Sequence, residues 1–180
     1  MRGARAPLAC ALLLMAGCGY RSRYPEAREW GTRSLLPKNF VERLEGAERL
    51  QLVALDEEHA FPEHMKTHAR SSIRAVVDVT SEADRERLIR TFYRAVRDAD
   101  GWLLCFHPHH AIRGWYQGVP FEIVMCLGCR HMYVPDDEGG EQMVVFNPAE
   151  LSEVSAQFFE PRGLSFDWTI PYFGGWVQKK

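Results

Sequence analysis

The 180-residue chain has little of several features that would place it in a specialised class. Its net charge is only -2, which gives no electrostatic reason to expect nucleic acid as a partner. Five cysteines are too few for a small scaffold held together by disulfides. The apolar run at residues 6–17 is shorter than the roughly 20 residues that a membrane-spanning helix needs. With 46% hydrophobic and 26% charged residues, the composition predicts one ordinary globular domain and excludes a disordered or multi-span membrane chain.

The sequence also lacks the short motifs that disclose many reactions. It has no glycine-rich phosphate loop, no Gly-x-Ser-x-Gly nucleophile motif and no His-Glu-x-x-His zinc motif. It contains no internal repeat and no low-complexity run. The informative parts are therefore its N-terminus and one cluster of cysteine and histidine residues.

The N-terminus has the charge and hydropathy of an export signal. Two arginines precede the short apolar core at residues 6–17. The core ends in two small residues followed directly by Cys18, and this end resembles the lipobox of bacterial lipoproteins. Met15 stands where that motif usually has Leu. An ordinary secretory signal, in which Cys18 is incidental, is the alternative.

The lipobox resemblance implies a membrane anchor. Residues 1–17 would be a signal peptide, and Cys18 would be joined to diacylglycerol and acylated, for example by palmitate. Gly19 stands where an inner-membrane lipoprotein has Asp, so we expect the periplasmic face of the outer membrane or the cell surface. The membrane, reached through this anchor, is then a partner of the chain, and no protein partner is identified.

The rest of the chain predicts a tether followed by one domain. Residues 18–37 hold the lipidated cysteine and a polar, arginine-bearing segment without periodicity, which predicts a flexible tether. Residues 38–180 predict a single α+β domain of order α-β-β-α-β-β-β-β-α, with one antiparallel sheet and helices on one face. The predicted elements are a helix beginning at Asn39, strands at 50–55 and 73–79, a helix at 82–97, strands at 102–107, 121–127, 130–134 and 141–146, and a helix capped by Asn147.

One dense constellation stands out, because all three cysteines beyond the N-terminal region lie close together in the sequence with adjacent histidines: Cys105, His107, His109, His110, Cys126 and Cys129. If 102–112 and 119–129 form a hairpin, a two-residue turn at 115–116 or at 117–118 sets the register. Side chains alternate along a strand, so either turn places Cys105, His107, His109 and Cys126 on one face.

Four interpretations of this constellation remain open. The thiols could be buried small hydrophobes. They could form a disulfide, Cys105–Cys126 across the strands or Cys126–Cys129 locally, as an exported location favours. They could hold a structural zinc ion through Cys105, Cys126, Cys129 and either His109 or His110. They could serve redox or nucleophilic chemistry, although the Cys-x-x-Cys is predicted at a strand end and not at a helix N-terminus.

The same stretch resembles a sequence pattern of small bacterial lipoproteins and exported proteins. Those proteins carry Cys-Phe-x-Pro-(His/Arg)-His-x-Ile followed by Ile-Cys-Phe-x-Cys, and residues 105–112 and 125–129 match this pattern, with Met125 and Leu127 as departures. Arg can replace the first His of the pattern, and Arg is no zinc ligand. The resemblance therefore implies His110 as the histidine of a zinc site, with His109 as the alternative, and it brings no activity with it.

The sequence thus predicts a membrane-anchored exported lipoprotein that is not an enzyme, with a structural Cys/His cluster and zinc as its one candidate cofactor. Two alternatives remain. The first is a periplasmic enzyme that uses the same cluster as a thiol or metal centre. The second is a protein-interaction module that uses the aromatic C-terminal tail, with Trp168 and Trp176 as its surface.

Overall fold

A computed structural model describes residues 24, 31–55, 73–104, 106–167 and 175–178. In these residues six antiparallel strands form one sheet in the order β2-β1-β3-β4-β5-β6, and three α-helices accompany it. The predicted α+β class and element order are confirmed. The elements are α1 (Lys38–Gly46), β1 (Arg49–Leu55), β2 (Ile73–Asp78), α2 (Glu82–Arg97), β3 (His110–Tyr116), β4 (Val119–Cys126), β5 (His131–Pro135), β6 (Glu141–Val145), α3 (Pro148–Phe159), β7 (Leu164–Asp167) and β8 (Gly175–Gln178).

Two of the three helices begin as their sequences predict. The Ser81 side chain accepts a hydrogen bond from the Asp84 amide at 3.0 Å and caps α2. Asn147 caps α3 in the same way, and proline occupies the first turn. The predicted start of the first helix at Asn39 is wrong by one residue, because the Asp137 carboxylate from the β5–β6 turn accepts hydrogen bonds from the first two amides of α1.

The main core lies between the sheet and the helices. Leu52, Ile112 and Ile123 are register partners on three neighbouring strands, and all three are buried on this face. Phe40 of α1 packs between Phe92 of α2 and the sheet, with its ring centroid 5.9 Å from that of Phe92. Because alternate strand residues point to one face, the helices cover every second residue of the central strands. We call this side the helix face.

Gly114 of β3 fits a specific packing requirement of the helix face. It lies directly across from Phe121 of β4, and a Cβ atom at Gly114 would stand 2.2 Å from the Phe121 ring. A glycine in a strand usually weakens the strand. Here it leaves room for an aromatic ring that lies over its backbone.

The β3–β4 hairpin has one of the two registers that the sequence permits. His110 pairs with Met125 and Tyr116 with Val119, so the turn is at Gln117 and Gly118. Both turn residues have positive φ angles, 51° and 73°, as the tight turns of hairpins require.

The strand predicted at 102–107 is displaced. The structure begins β3 at His110, and the described residues before it, 101–104 and 106–109, belong to no strand, although the His109 carbonyl oxygen accepts a hydrogen bond from the Leu55 amide of β1 at 2.9 Å. Pro108 has no amide hydrogen for a ladder. The Leu103 amide instead donates to the Cys129 carbonyl oxygen at 3.0 Å. We call residues 101–104 and 106–109 the crossover segment, because they lead from the end of α2 to the opposite face of the sheet.

The packed structure includes residues that the sequence assigns to the tether. Tyr24 is only 2% exposed and belongs to the main core. Residues Thr32–Leu35 form a 3-10 helix, and Leu36 is buried. The domain's packed residues therefore begin before Lys38.

The C-terminal region contributes a second, two-stranded sheet in which β7 pairs with β8. Phe166 of β7 packs against the main core. Within the described residues, no helix is both long enough and apolar enough to cross a membrane.

Candidate functional site

A disulfide closes the loop between β4 and β5. Cys126, the last residue of β4, is bonded to Cys129, and we call residues 126–130 the disulfide loop. The Cys129 amide donates to the Cys126 sulfur at 3.1 Å, and the Arg130 amide donates to the Cys126 carbonyl oxygen. Arg130 itself has a positive φ of 62°. Both cysteines are fully buried, so the bond lies inside the protein.

The crossover segment lies against this loop at two points. Its Leu103 amide donates to the Cys129 carbonyl oxygen, and its His107 amide donates to the Cys129 sulfur at 3.4 Å. Phe106, between these two points, is buried in a small cluster with Cys126 and Cys129. The two contacts give hydrogen-bonding partners to an irregular segment that has no ladder of its own.

His131 is a member of the site that the sequence analysis missed. It is the register partner of Cys126 on β5, and its ring stacks on Phe106 with centroids 5.0 Å apart. Its Nδ1 atom lies 3.3 Å from the Cys129 carbonyl oxygen. Burial lowers the pKa of His131, and the hydrogen bond to that carbonyl partly opposes the shift. The tight turn that follows Cys126 in the sequence could have identified His131, because such a turn pairs Cys126 of β4 with His131 of β5.

The aromatic rings of Trp102, Phe106 and Tyr133 surround His131. The Trp102 ring centroid lies 5.9 Å from that of His131, and the Tyr133 centroid lies 5.8 Å away. The Phe106 and Tyr133 rings meet edge to face at 4.8 Å. This packing predicts a neutral, structural His131, because the surrounding rings exclude water from the imidazole.

His110 lies on the other side of the sheet from the disulfide. It pairs with Met125, whose side chain belongs to the main core, whereas Cys126 belongs to the cluster on the opposite face. The His110 ring contacts Phe166 at 4.8 Å, and the His109 ring contacts the same phenyl at 5.4 Å. Burial, with the nearby His109 as a smaller cause, lowers the pKa of His110 to about 3.

The structure therefore does not bring all of the predicted zinc ligands together. Cys126 and Cys129 are adjacent, but their sulfurs are bonded to each other. His110 lies on the opposite face of the sheet. Cys105 lies outside the described residues. Among the residues that are described, no three His, Cys, Asp or Glu side chains are placed to hold a metal ion. A zinc site with Cys105 stays a prediction, and it requires the reduced form of Cys126 and Cys129.

The disulfide also bears on the predicted Cys105–Cys126 bond. The sulfur of Cys126 is bonded to Cys129, the local pairing that the sequence left open. His107 and His109, predicted on the face of Cys126, belong to the crossover segment and not to a strand. Strand alternation therefore does not govern which way they face.

A surface cleft opens beside the disulfide loop. It has a volume of about 420 Å³ and is lined by residues of the crossover region and of the loop: Asp100, Gly101, Trp102, Leu103, Gly128 and Arg130. An ion pair between Arg130 and Asp100, 2.8 Å apart, lies at its wall. Three consecutive apolar residues next to it are exposed, Trp102 at 46%, Leu103 at 50% and Leu104 at 94%. We call these three residues the apolar patch.

The aromatic tail predicted as an interaction surface is only partly described. Trp168 lies outside the described residues, and Trp176 belongs to β8 as a backbone element.

No family model, curated protein or solved structure matches the chain. The resemblance of residues 105–112 and 125–129 to a lipoprotein pattern therefore stays a prediction.

Proposed function

We propose that this chain is an exported, lipid-anchored lipoprotein whose single domain is not an enzyme and whose Cys/His cluster is structural. The buried Cys126–Cys129 disulfide is the observation that carries this proposal. Stable disulfides belong to oxidising compartments outside the cytosol, which is where a lipobox would send the chain. A buried disulfide among aromatic rings offers no accessible thiolate for nucleophilic chemistry.

The first experiment tests the anchor. The full chain is produced in bacteria supplied with an alkyne-bearing fatty acid, which a lipoprotein incorporates at its N-terminal cysteine. We expect the label on the wild-type chain and none on the Cys18→Ala variant. The matched control is Cys10→Ala, which removes a cysteine within the proposed signal peptide and should leave the label unchanged. An unlabelled wild-type chain would refute the anchor.

The second experiment distinguishes the disulfide from a zinc site. The purified mature chain is denatured without reductant and alkylated, and its mass is measured. We expect one alkylated cysteine, Cys105, and three after reduction, because Cys18 carries lipid and the disulfide holds two sulfurs. Three reactive thiols before reduction, together with one zinc ion per native chain, would replace the disulfide with the metal site of Cys105, Cys126, Cys129 and a histidine.

A second candidate function, a protein-interaction surface, is favoured by the apolar patch. Three consecutive exposed apolar side chains next to a cleft are unusual on a protein that binds nothing there. A photo-cross-linking amino acid at Leu104 should give adducts in intact cells. The same residue at Val119, which is 57% exposed at the distant hairpin, is the control and should give none. Equal adduct formation at both positions would remove the patch as a specific surface.

A further inference from the structure

We infer that the anchored domain sits with the outer surface of its helices against the bilayer and with its disulfide loop turned away from the bilayer. This orientation rests on the proposed lipidation of Cys18. The proposed function does not say which surface of the domain contacts the phospholipid headgroups. The orientation identifies that surface and the surface that stays accessible to partners in the aqueous space.

The docking of Tyr24 is the first step. Its ring centroid lies 6.0 Å from that of Tyr93 on α2, and the Arg90 guanidinium lies 5.5 Å from the Tyr24 ring. The Tyr93 hydroxyl donates to the buried Glu45 carboxylate of α1 at 2.7 Å, which fixes the Tyr93 side chain. The chain that leads to the anchor is therefore attached to the helix layer, where α1 and α2 meet.

The length of chain before Tyr24 is the second step. Only five residues, 19–23, separate Cys18 from Tyr24. An extended chain spans at most about 3.6 Å per residue, so the Cα atoms of Cys18 and Tyr24, six steps apart, lie within roughly 22 Å of each other. The 16 residues of α2 alone extend over about 24 Å. A tether shorter than the helix beside it keeps the bilayer on the helix side of the domain.

The position of the disulfide is the third step. Met125 packs into the core under the helices, and the next residue, Cys126, points to the other face of the sheet. The crossover segment covers that other face with Phe106. The sheet therefore lies between Tyr24 on one side and the buried disulfide on the other.

Charge supports the same orientation. The five residues between Cys18 and Tyr24 include two arginines and no acid. On α2, Arg90 lies over the Tyr24 ring, whereas Arg94 and Arg97 form ion pairs with Glu150 and Asp98 outside the helix. A basic excess next to a lipid anchor suits the anionic headgroups of a bacterial membrane.

Hydrogen exchange on vesicles tests the orientation. The lipidated full chain is reconstituted into vesicles of phosphatidylethanolamine and phosphatidylglycerol, and amide exchange is compared with the same chain in detergent micelles. We expect several-fold slower exchange on vesicles in peptides from 82–97 and unchanged exchange in peptides from 100–104 and 127–130. Slowing confined to the second group, or no slowing in either, would overturn the orientation.

Two variants make the result specific. A ten-residue Gly/Ser insertion after Gly19 leaves the domain untouched and frees its orientation, so the slowing at 82–97 should disappear. Tyr24→Ala should have the same effect. Tyr133→Ala, which removes a tyrosine from the other face, is the matched control and should retain the slowing. Slowing that survives the insertion would show that Tyr24 and the short tether do not set the orientation.

The fatty-acid label separates this inference from the proposed function. A chain without label at Cys18 would overturn both. A labelled chain whose α2 exchanges equally in vesicles and micelles would overturn the orientation alone and leave the lipoprotein assignment standing.

Discussion

The two faces of the six-stranded sheet are covered by different kinds of structure. On the helix face, regular helices bury alternate residues of the central strands over a large continuous core. On the opposite face, polar residues such as Gln51 and the Arg113–Glu122 pair lie at one end. The other end is covered by the irregular crossover segment and the disulfide loop, around a cluster of seven buried residues.

The difference shows what irregular backbone needs in order to cover a sheet. A helix satisfies its own amides and presents a ready apolar stripe. The crossover segment has no such ladder, so its amides at Leu103 and His107 bond to Cys129. The disulfide holds Cys129 in place, and Cys129 in turn holds the crossover segment against the sheet. We expect the helix face to determine global stability, and the opposite face to be able to change without unfolding the domain.

The largest predicted effect compares one phenylalanine on each face. Phe40 is fully buried between rings of α2 and β4, and Phe40→Ala should lower the free energy of unfolding by about 3–5 kcal/mol. Phe106→Ala should lower the free energy of unfolding by about half of that or less, because the irregular crossover segment can move to fill part of the cavity. Urea unfolding followed by circular dichroism measures both. Equal losses would mean that the two faces contribute alike.

The next effect is the loss of stability in acid caused by His110. Its pKa is about 3 in the folded protein and about 6.5 when unfolded, so the unfolded chain binds more protons between these values. The contribution is intact above pH 6.5 and is lost as the pH falls. At pH 5 it should cost about 2 kcal/mol relative to pH 7. His110→Gln should flatten the stability profile between pH 7 and 5, leaving a smaller slope from His131. An unchanged profile would show that His110 is not the titrating group.

Much of this architecture could be predicted from the sequence because its signals are local. The caps at Ser81 and Asn147 and the apolar periodicity of α2 depend on residues within one or two turns. The hairpin register was limited to two choices by the turn residues, and Gln117 and Gly118 hold the turn. The Asp137 cap of α1 could not be predicted, because it comes from about 100 residues along the chain.

The candidate site was predicted less completely, for a physical reason. The sequence predicts strand alternation over residues 102–107, but the described residues of that segment hydrogen-bond to the disulfide loop through the Leu103 and His107 amides. Its residues therefore follow no period of two. His131 enters the site through its pairing with Cys126 across a tight turn, and the sequence contained that information. Which cysteine bonds to Cys126 depends on distances that spacing alone does not give.

Removing the disulfide should weaken the opposite face while sparing the helix face. A loop as short as 126–129 predicts a loss of somewhat under 2 kcal/mol for the double variant Cys126→Ala/Cys129→Ala, from the entropy of the unfolded chain. Amide exchange should increase first in the crossover segment, whose hydrogen bonds end on Cys129. The core strands and α2 should keep their protection. Uniformly faster exchange throughout the domain would contradict the independence of the two faces.

The smallest predicted effect concerns the polar end of the opposite face. Arg113 and Glu122 are register partners 2.9 Å apart, with side chains 21% and 20% exposed. Partial burial limits screening, so a double-mutant cycle with Arg113→Gln and Glu122→Gln should give a coupling of about 0.5–1 kcal/mol. The Arg49–Asp78 pair is the matched control, with side chains 54% and 47% exposed. Its coupling should be smaller and should fall more steeply in 1 M salt. Equal coupling and an equal response to salt would show that Arg113 and Glu122 are as accessible to water as Arg49 and Asp78. In that case only the disulfide end of the opposite face would be shielded from solvent.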